Sequence, residues 1–413
     1  MSEETAAPAP EPAPLLAATE RVLTDAFGGP VRLEVRDTLR ERYRNRVLRL
    51  AVTDGPAGTP ATVIVKTAEG EGDDAYDPAK DALGGTSWRL YNEWAGNSFL
   101  GSLGAEPPLS ARLIGGDRET GVIVLEDLGA PLSLADRLTG DDPAAAEAAL
   151  LAYARSMGRL HAATAGREEE FMSLRRTLGA TETAREREGV RWLRENVAPF
   201  QELLGALGIA PAPGFEADVE EVRRAMDEPG PWLAFAPGDT CPDNHKLTDD
   251  GAAVRFFDFE FAGFRHALLD AAYFHLPFPT CWCVNRLPDG RPARLEAAYR
   301  AEAARGIPAV ADDAAFDRER LRAGAYWLPA TLSWGWQDWL KEDRQWGIST
   351  RRQRHLLRLE NVVALAERAG PDRLPALTDA ARRLRDVLAA RWLPEGLEPM
   401  PLYPPFRAGA GEE

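Results

Sequence analysis

The chain has 413 residues, 45% of them hydrophobic, with a formal net charge of −16. That length allows two domains or one large bilobal one. The acidic balance opposes binding to a nucleic-acid backbone and suits a cationic small molecule.

The N-terminus, MSEETAAPAPEPAPLL, lacks the basic region and apolar core of a secretory signal and reads as a disordered tail over residues 1–18. With no apolar run of bilayer-spanning length, a cytoplasmic protein is expected.

From about 20 to 130 the pattern alternates strands with one helix. TLRERYRNRVLRLAV reads as strand–turn–strand carrying Arg40, Arg42, Arg44 and Arg46. Either these arginines contact phosphates or they form a solvated hairpin face. ATVIVKTA at 61–68 is a β-branched run with Thr62, Ile64 and Lys66 on one face and Val63 and Val65 on the other. A lysine interrupting a buried strand is costly unless paired. SWRLYNEWAGNSFL at 87–100 has helical spacing and puts Leu90, Glu93, Trp94 and Asn97 on one face. Glu93 is therefore the expected partner of Lys66, which would reach the α- and β-phosphates of a nucleotide. GVIVLEDLGA at 121–130 is a further strand, whose backbone near Glu126 and Leu128 would meet an adenine ring.

Beyond 131 the chain turns helical, at 144–161, 181–207 and 215–226. Then comes WLAFAPGDTCPDNHKLTDDGAAVRFFDFEF. WLAFA is a short strand ending at the turn dipeptide Pro237-Gly238, and VRFFDFEF at 254–261 is a second strand after the turn Asp249-Asp250-Gly251. Asp239 sits on the loop between them, Asn244 five residues later, and both Asn244 and Asp258 flank a hairpin-like return. Phosphoryl transfer needs metal ions on phosphate oxygens and an oriented hydroxyl. Asp239 would accept the hydroxyl proton, and Asn244 and Asp258 would hold Mg²⁺ on ATP. Helices follow at 291–305, 314–346 and, as a pair split by Gly370-Pro371, 351–392; PLYPPFRAGAGEE at 401–413 reads as an extended tail. TLSWGWQDWLKEDRQWG gathers Trp334, Trp336, Trp339 and Trp346 with acids, as either core packing or an acceptor pocket, and Trp282 is a further pocket candidate. Cys241, Cys281 and Cys283 are read as small buried thiols rather than a disulfide scaffold or a metal site.

In P-G-D-T-C-P-D-N and D-F-E the chain resembles the aminoglycoside phosphotransferase and choline kinase family, a branch of the protein-kinase-like fold. The match runs in order over roughly residues 30 to 280. The resemblance implies an α+β bilobal fold, with a small β-rich N-lobe over 19–130 and a large, mainly helical C-lobe over 131–400. It also implies an ATP- and Mg²⁺-dependent phosphotransferase acting on a hydroxyl of a small molecule such as an aminoglycoside, amino sugar or amino alcohol. Lys66, Glu93, Asp239, Asn244 and Asp258 inherit the roles above; Asp270 would brace the catalytic loop, and His161 would take a structural place. Pro237 stands where the family has a loop histidine, and no glycine-rich loop precedes Lys66. Those departures keep a nucleotide-binding pseudokinase open, and the same catalytic parts would also serve a Ser/Thr peptide kinase of a natural-product pathway.

Overall fold

The structure is a computed structural model that describes residues 12–42, 45–70, 72–180 and 188–407. The tail expected before residue 12, Arg44 and the side chain of Arg42, the start of the 181–207 helix, and residues 408–413 lie outside the described residues. The described residues form two compact units. The first is built from the chain up to Gly104, Ser110–Gly129 and Met172–Ala184, and the second from Ala105–Leu109, Ala130–Phe171 and the chain from Arg185 on. Met172–Ala184 thus joins the β-rich unit although it lies far beyond residue 130.

The first unit is an antiparallel five-stranded sheet. β1 (Arg32–Arg42), β2 (Asn45–Asp54), β3 (Thr62–Ala68), β4 (Leu113–Asp117) and β5 (Val122–Glu126) lie in the order β1-β2-β3-β5-β4. The two faces of β3 part as its alternation predicts. Val63 and Val65 are fully buried with Leu48, Leu50, Val122 and Val124, against Ala18 and Leu23 of α1 (Pro12–Phe27). Ile64 packs on the opposite side with Leu90 and Trp94 of α2 (Thr86–Ser102), together with Ile123 and Leu125. Helix α1 corrects the expected 1–18 tail. The chain is helical from Pro12, because Leu15, Leu16 and Ala18 cover the apolar face of the sheet and so offset the entropy of ordering.

The second unit is mainly helical. α3 (Leu134–Thr139) and α4 (Pro143–Thr164) open it, and both start on side-chain caps, Ser133 and Asp142. α5 (Glu168–Thr177), α6 (Glu188–Ala206) and α7 (Phe215–Asp227) follow. Two short antiparallel ladders come next, β6 (Leu233–Ala236) with β9 (Gly263–His266), and β7 (His245–Leu247) with β8 (Val254–Phe256). The helices then resume with α8 (Leu268–Ala271), α9 (Arg291–Ala303), α10 (Asp313–Leu332) and α11 (Trp336–Lys341). A two-residue hairpin, β10 (Gln345–Trp346) and β11 (Ser349–Thr350), leads to α12 (Arg351–Ala369) and α13 (Pro375–Trp392).

Three expectations are corrected here. The single helix expected over 314–346 breaks after Leu332, because Gly335 takes a φ of 56°, a left-handed conformation that restarts the chain as α11. The strand expected over 254–261 ends at Phe256, because Asp258 leaves the extended region. The C-terminal segment is packed rather than free over its described part. Tyr403 is fully buried and donates its hydroxyl to the Cys283 carbonyl at 2.9 Å, and Phe406 lies under the Arg291 guanidinium. Among the described residues no helix is long and apolar enough to cross a membrane.

Candidate active site

In the second unit the local chain path sets Asp239, Asn244 and Asp258 around one pair of ladders. β6 ends at Ala236, opposite Gly263 of β9. The chain then turns through Gly238, whose φ is 95°; a Cβ there would sit 2.1 Å from the Phe261 carbonyl oxygen, so only glycine fits. That turn delivers Asp239 to a half-buried position. Pro242-Asp243-Asn244 makes one 3₁₀ turn, closed by Asn244 N donating to the Cys241 carbonyl at 2.9 Å. The Asn244 side-chain Nδ2 donates back to the Asp239 carbonyl at 3.1 Å, which leaves its Oδ1 as the atom able to face a cation. β7 and β8 return the chain so that Phe257 N donates to the Asn244 carbonyl at 3.3 Å. The hairpin-like return expected from sequence is therefore formed, with Asn244 at its entry and Asp258 just past its exit.

Asp258 has a φ of 69°. A non-glycine residue in that region costs of order 1–3 kcal/mol, and such strain gathers where a side chain has a task. The electrostatics agree. Burial first, then the charges of Asp258 and Asp243, push the Asp239 carboxyl up to about 6. Glu260 adds to the same repulsion. Carboxylates crowded this way are stabilised by a divalent cation, and an all-oxygen set of carboxylates and an amide carbonyl suits a hard ion such as Mg²⁺.

Asp270 is fully buried, and the structure shows how it reaches the Asp239 loop. Arg265 Nη2 donates to Asp270 Oδ1 at 2.7 Å and to the Gly238 carbonyl at 3.0 Å. Burial opposes ionisation of Asp270; Arg265 overcomes it and holds the carboxyl below the ordinary range. The turn carrying Asp239 is thus pinned through a cation, although Pro237 occupies the residue two before it. His161 is buried, hydrogen-bonded through Nδ1 to the Tyr299 hydroxyl at 2.9 Å, with Nε2 3.4 Å from Asp270 Oδ2.

The cysteine expectation is corrected. Cys241 and Cys281 form a disulfide with Cα atoms 5.4 Å apart, and Cys283 alone stays a buried thiol. The bond ties the loop between Asp239 and Asn244 to the segment beginning at Thr280, whose Oγ1 donates to Asp239 Oδ1 at 3.5 Å. Asp239, Cys241 and Cys281 lie close enough to share an ion. A disulfide offers no thiolate, so this trio is not a soft-metal site.

In the first unit Lys66 and Glu93 meet as expected. Lys66 Nζ lies 2.9 Å from Glu93 Oε2, with the two residues 8% and 2% exposed. Asn97 Nδ2 donates to Glu93 Oε1 at 3.3 Å and to the Glu93 carbonyl at 2.8 Å, so the helix face read from sequence also orients the acid. Glu126 ends β5, and its Oε2 accepts from Arg112 N at 3.2 Å; Leu128 is half-buried two residues on. Between them Asp127 is gripped by Arg49, with Nε to Oδ2 at 2.7 Å and Nη2 to Oδ1 at 3.2 Å, and Arg49 Nη2 also donates to the Gly129 carbonyl at 2.8 Å. This clamp fixes the segment after β5. Of the arginine run, Arg46 is buried, with its Nε 3.4 Å from Glu69 Oε1.

The tryptophans divide. Trp339 is buried against Trp392 and His355, as core packing predicts. Trp334 and Trp346 are exposed and line a cavity of about 540 Å³ together with Trp192 and Thr280. Trp282 is exposed and donates Nε1 to Asp243 Oδ2 at 2.9 Å. Arg265, Thr280, Arg49 and the disulfide were not legible as functional, since each acts through a partner that only folding brings near.

No protein-family model and no curated protein sequence matches this chain. Solved structures do. The structural neighbours include aminoglycoside phosphotransferases and choline or ethanolamine kinases. A choline/ethanolamine kinase family protein from Mesorhizobium loti is 16% identical, with 88% of this chain and 99% of that one covered at a TM-score of 0.42. An ethanolamine kinase from Plasmodium vivax is 12% identical, with 83% of each chain covered at a TM-score of 0.43. The ADP-bound aminoglycoside phosphotransferase APH(2'')-Ib is 10% identical, covering 87% of this chain and 97% of that one at a TM-score of 0.42. With every TM-score below 0.5, these are likenesses only.

Proposed function

We propose that this protein transfers the γ-phosphoryl group of ATP to a hydroxyl of a small molecule. The observation that carries the reading is the grouping of Asp239, Asn244 and Asp258 at the ends of β6, β7 and β8, with Asp258 at a φ of 69° and Asp239 pushed up to about 6. Asp239 takes the hydroxyl proton and orients the oxygen; a carboxyl near 6 is ionised at neutral pH and still basic enough for that task. Asn244 Oδ1 and the Asp258 carboxylate are the oxygen ligands for Mg²⁺. When bound, the ion would neutralise charge on the phosphate oxygens. Lys66, held straight by Glu93, is the phosphate-contacting cation of the first unit. The main chain near Glu126 and Leu128, stiffened by the Arg49–Asp127 clamp, is the adenine-contacting segment. Arg265 and Asp270 position Asp239 without touching the reactants. An intact brace on the Asp239 turn favours an active enzyme over a protein that only binds nucleotide.

The test is ADP formation by the purified chain with ATP, Mg²⁺ and a panel of small hydroxyl compounds and Ser/Thr peptides. Acceptor-dependent ADP release that stops on chelation with EDTA is expected. Release driven by peptides but by no small molecule would overturn the small-molecule part of the reading.

A further inference from the structure

The cavity beside Asp239 carries a charge opposite to that of the chain. Its wall includes Arg351, Arg354 and Arg358, with Asp338 as the acid facing them. Arg354 and Arg358 are 2% and 6% exposed. Arg354 spends its terminal nitrogens on the carbonyls of Cys281, Trp282 and Trp346, and its Nε is buried with no hydrogen-bond partner. Arg358 donates Nη2 to the Pro279 carbonyl at 2.8 Å. No carboxylate among the described residues acts on either guanidinium. Burial first, then the neighbouring Arg354, push the Arg358 guanidinium down to about 9. His355, on the same wall, is buried with neither ring nitrogen hydrogen-bonded.

Two buried guanidinium groups without an acid are costly, and a buried cation is ordinarily paired. The missing partner has room here, since the groups border open space rather than core. Arg351 and Arg354 also lie at the start of α12, where the helix dipole adds positive potential. Thr280 links the cavity to the chemistry, for it lines the wall and donates to Asp239 Oδ1. Trp192 and Trp334, with ring centroids 5.6 Å apart, supply an aromatic flank.

Resting on the phosphotransferase reading, we infer that the acceptor carries an anionic group, a carboxylate or a phosphate, which Arg358 and its neighbours bind while the acceptor hydroxyl faces Asp239. This reverses the cationic acceptor expected from net charge. The whole-chain charge is an average over the surface, whereas the cavity is set by a few arginines of α12.

The experiment uses the full chain and four matched probes: 4-(hydroxymethyl)benzoate, 4-(hydroxymethyl)phenyl phosphate, 4-(hydroxymethyl)benzamide and 4-(hydroxymethyl)benzylamine. Binding is read by calorimetry without nucleotide and by quenching of tryptophan fluorescence. At least one anion is expected to bind roughly tenfold or more tighter than the amide, and the amine weakest. The carboxylate and phosphate arms tell which anion is preferred. Arg358→Gln should abolish the preference while leaving Mg·AMP-PNP affinity unchanged. Should that variant fail to fold, Arg351→Gln, on the half-buried first residue of α12, should reduce it. Equal binding of amide and anions, tighter binding of the amine, no binding of either anion at millimolar concentration, or a preference that survives in the folded variants would overturn the inference. Loss of Mg·AMP-PNP binding by the wild type would instead strike the phosphotransferase reading, and leaves the charge preference measured by itself.

Discussion

Asp239→Asn is expected to lose phosphoryl transfer by ~10²–10⁴-fold while still binding Mg·AMP-PNP, because the substitution keeps the shape and removes the proton acceptor. The same substitution should stabilise the metal-free protein at pH 7. The Asp239 carboxyl is raised from 3.8 to about 6 by burial and by Asp258. A carboxyl raised on folding binds its proton more tightly in the folded state. Its ionised form therefore costs stability above about pH 6, and the cost is relieved as pH falls toward 3.8. Asp239→Asn removes that cost, so the variant should exceed the wild type by on the order of 2 kcal/mol at pH 7, after allowance for partial exposure, and by progressively less below pH 6. Urea unfolding of both proteins at several pH values, with EDTA present, measures this. A variant less stable than the wild type at pH 7, or one with unchanged turnover, contradicts the role given to Asp239.

Lys66→Met should be severely destabilising for a different reason. It takes away from Glu93, which is 2% exposed, the cation that lies 2.9 Å from its Oε2. Breaking one side of such a pair costs about 3–5 kcal/mol. Replacing both partners, Lys66→Met with Glu93→Leu, should recover most of that loss, because an apolar pair of similar volume carries no desolvation penalty. Activity should not recover, since the phosphate-contacting charge stays absent. A double variant with restored turnover would make the pair structural alone; a double variant no more stable than Lys66→Met would mean that the ion pair is not the source of the loss.

Much of the fold could be read from local pattern. The alternation through Thr62–Lys66 correctly divided β3 between its two faces, and the helical spacing of Leu90, Glu93 and Asn97 put the acid where it meets Lys66. The order Asp239, Asn244, Asp258 likewise located the hairpin, because Gly238 and Asp249-Asp250-Gly251 are turn signals that work without tertiary context. What failed depends on partners distant in sequence. The Pro/Ala-rich start looked disordered until Leu15, Leu16 and Ala18 were seen to cover the sheet. Cys241 and Cys281 are 40 residues apart, and no spacing rule joins them. Arg265 looks like one charge in a short strand, and its link from Asp270 to Gly238 exists only once β9 lies beside β6. The tryptophans near Trp339 share one helical stretch on paper, but the break at Gly335 sends Trp334 to the cavity and Trp339 to the core.

The most direct measurement is calorimetric titration of AMP-PNP with Mg²⁺ into the wild type and into Asp258→Asn. Saturable heat in the wild type is expected, abolished by EDTA and at least tenfold weaker in affinity for Asp258→Asn, as loss of a charged metal ligand implies. No heat in the wild type, or nucleotide affinity that ignores both the chelator and the substitution, would contradict the assignment of Asp239, Asn244 and Asp258 to phosphoryl transfer.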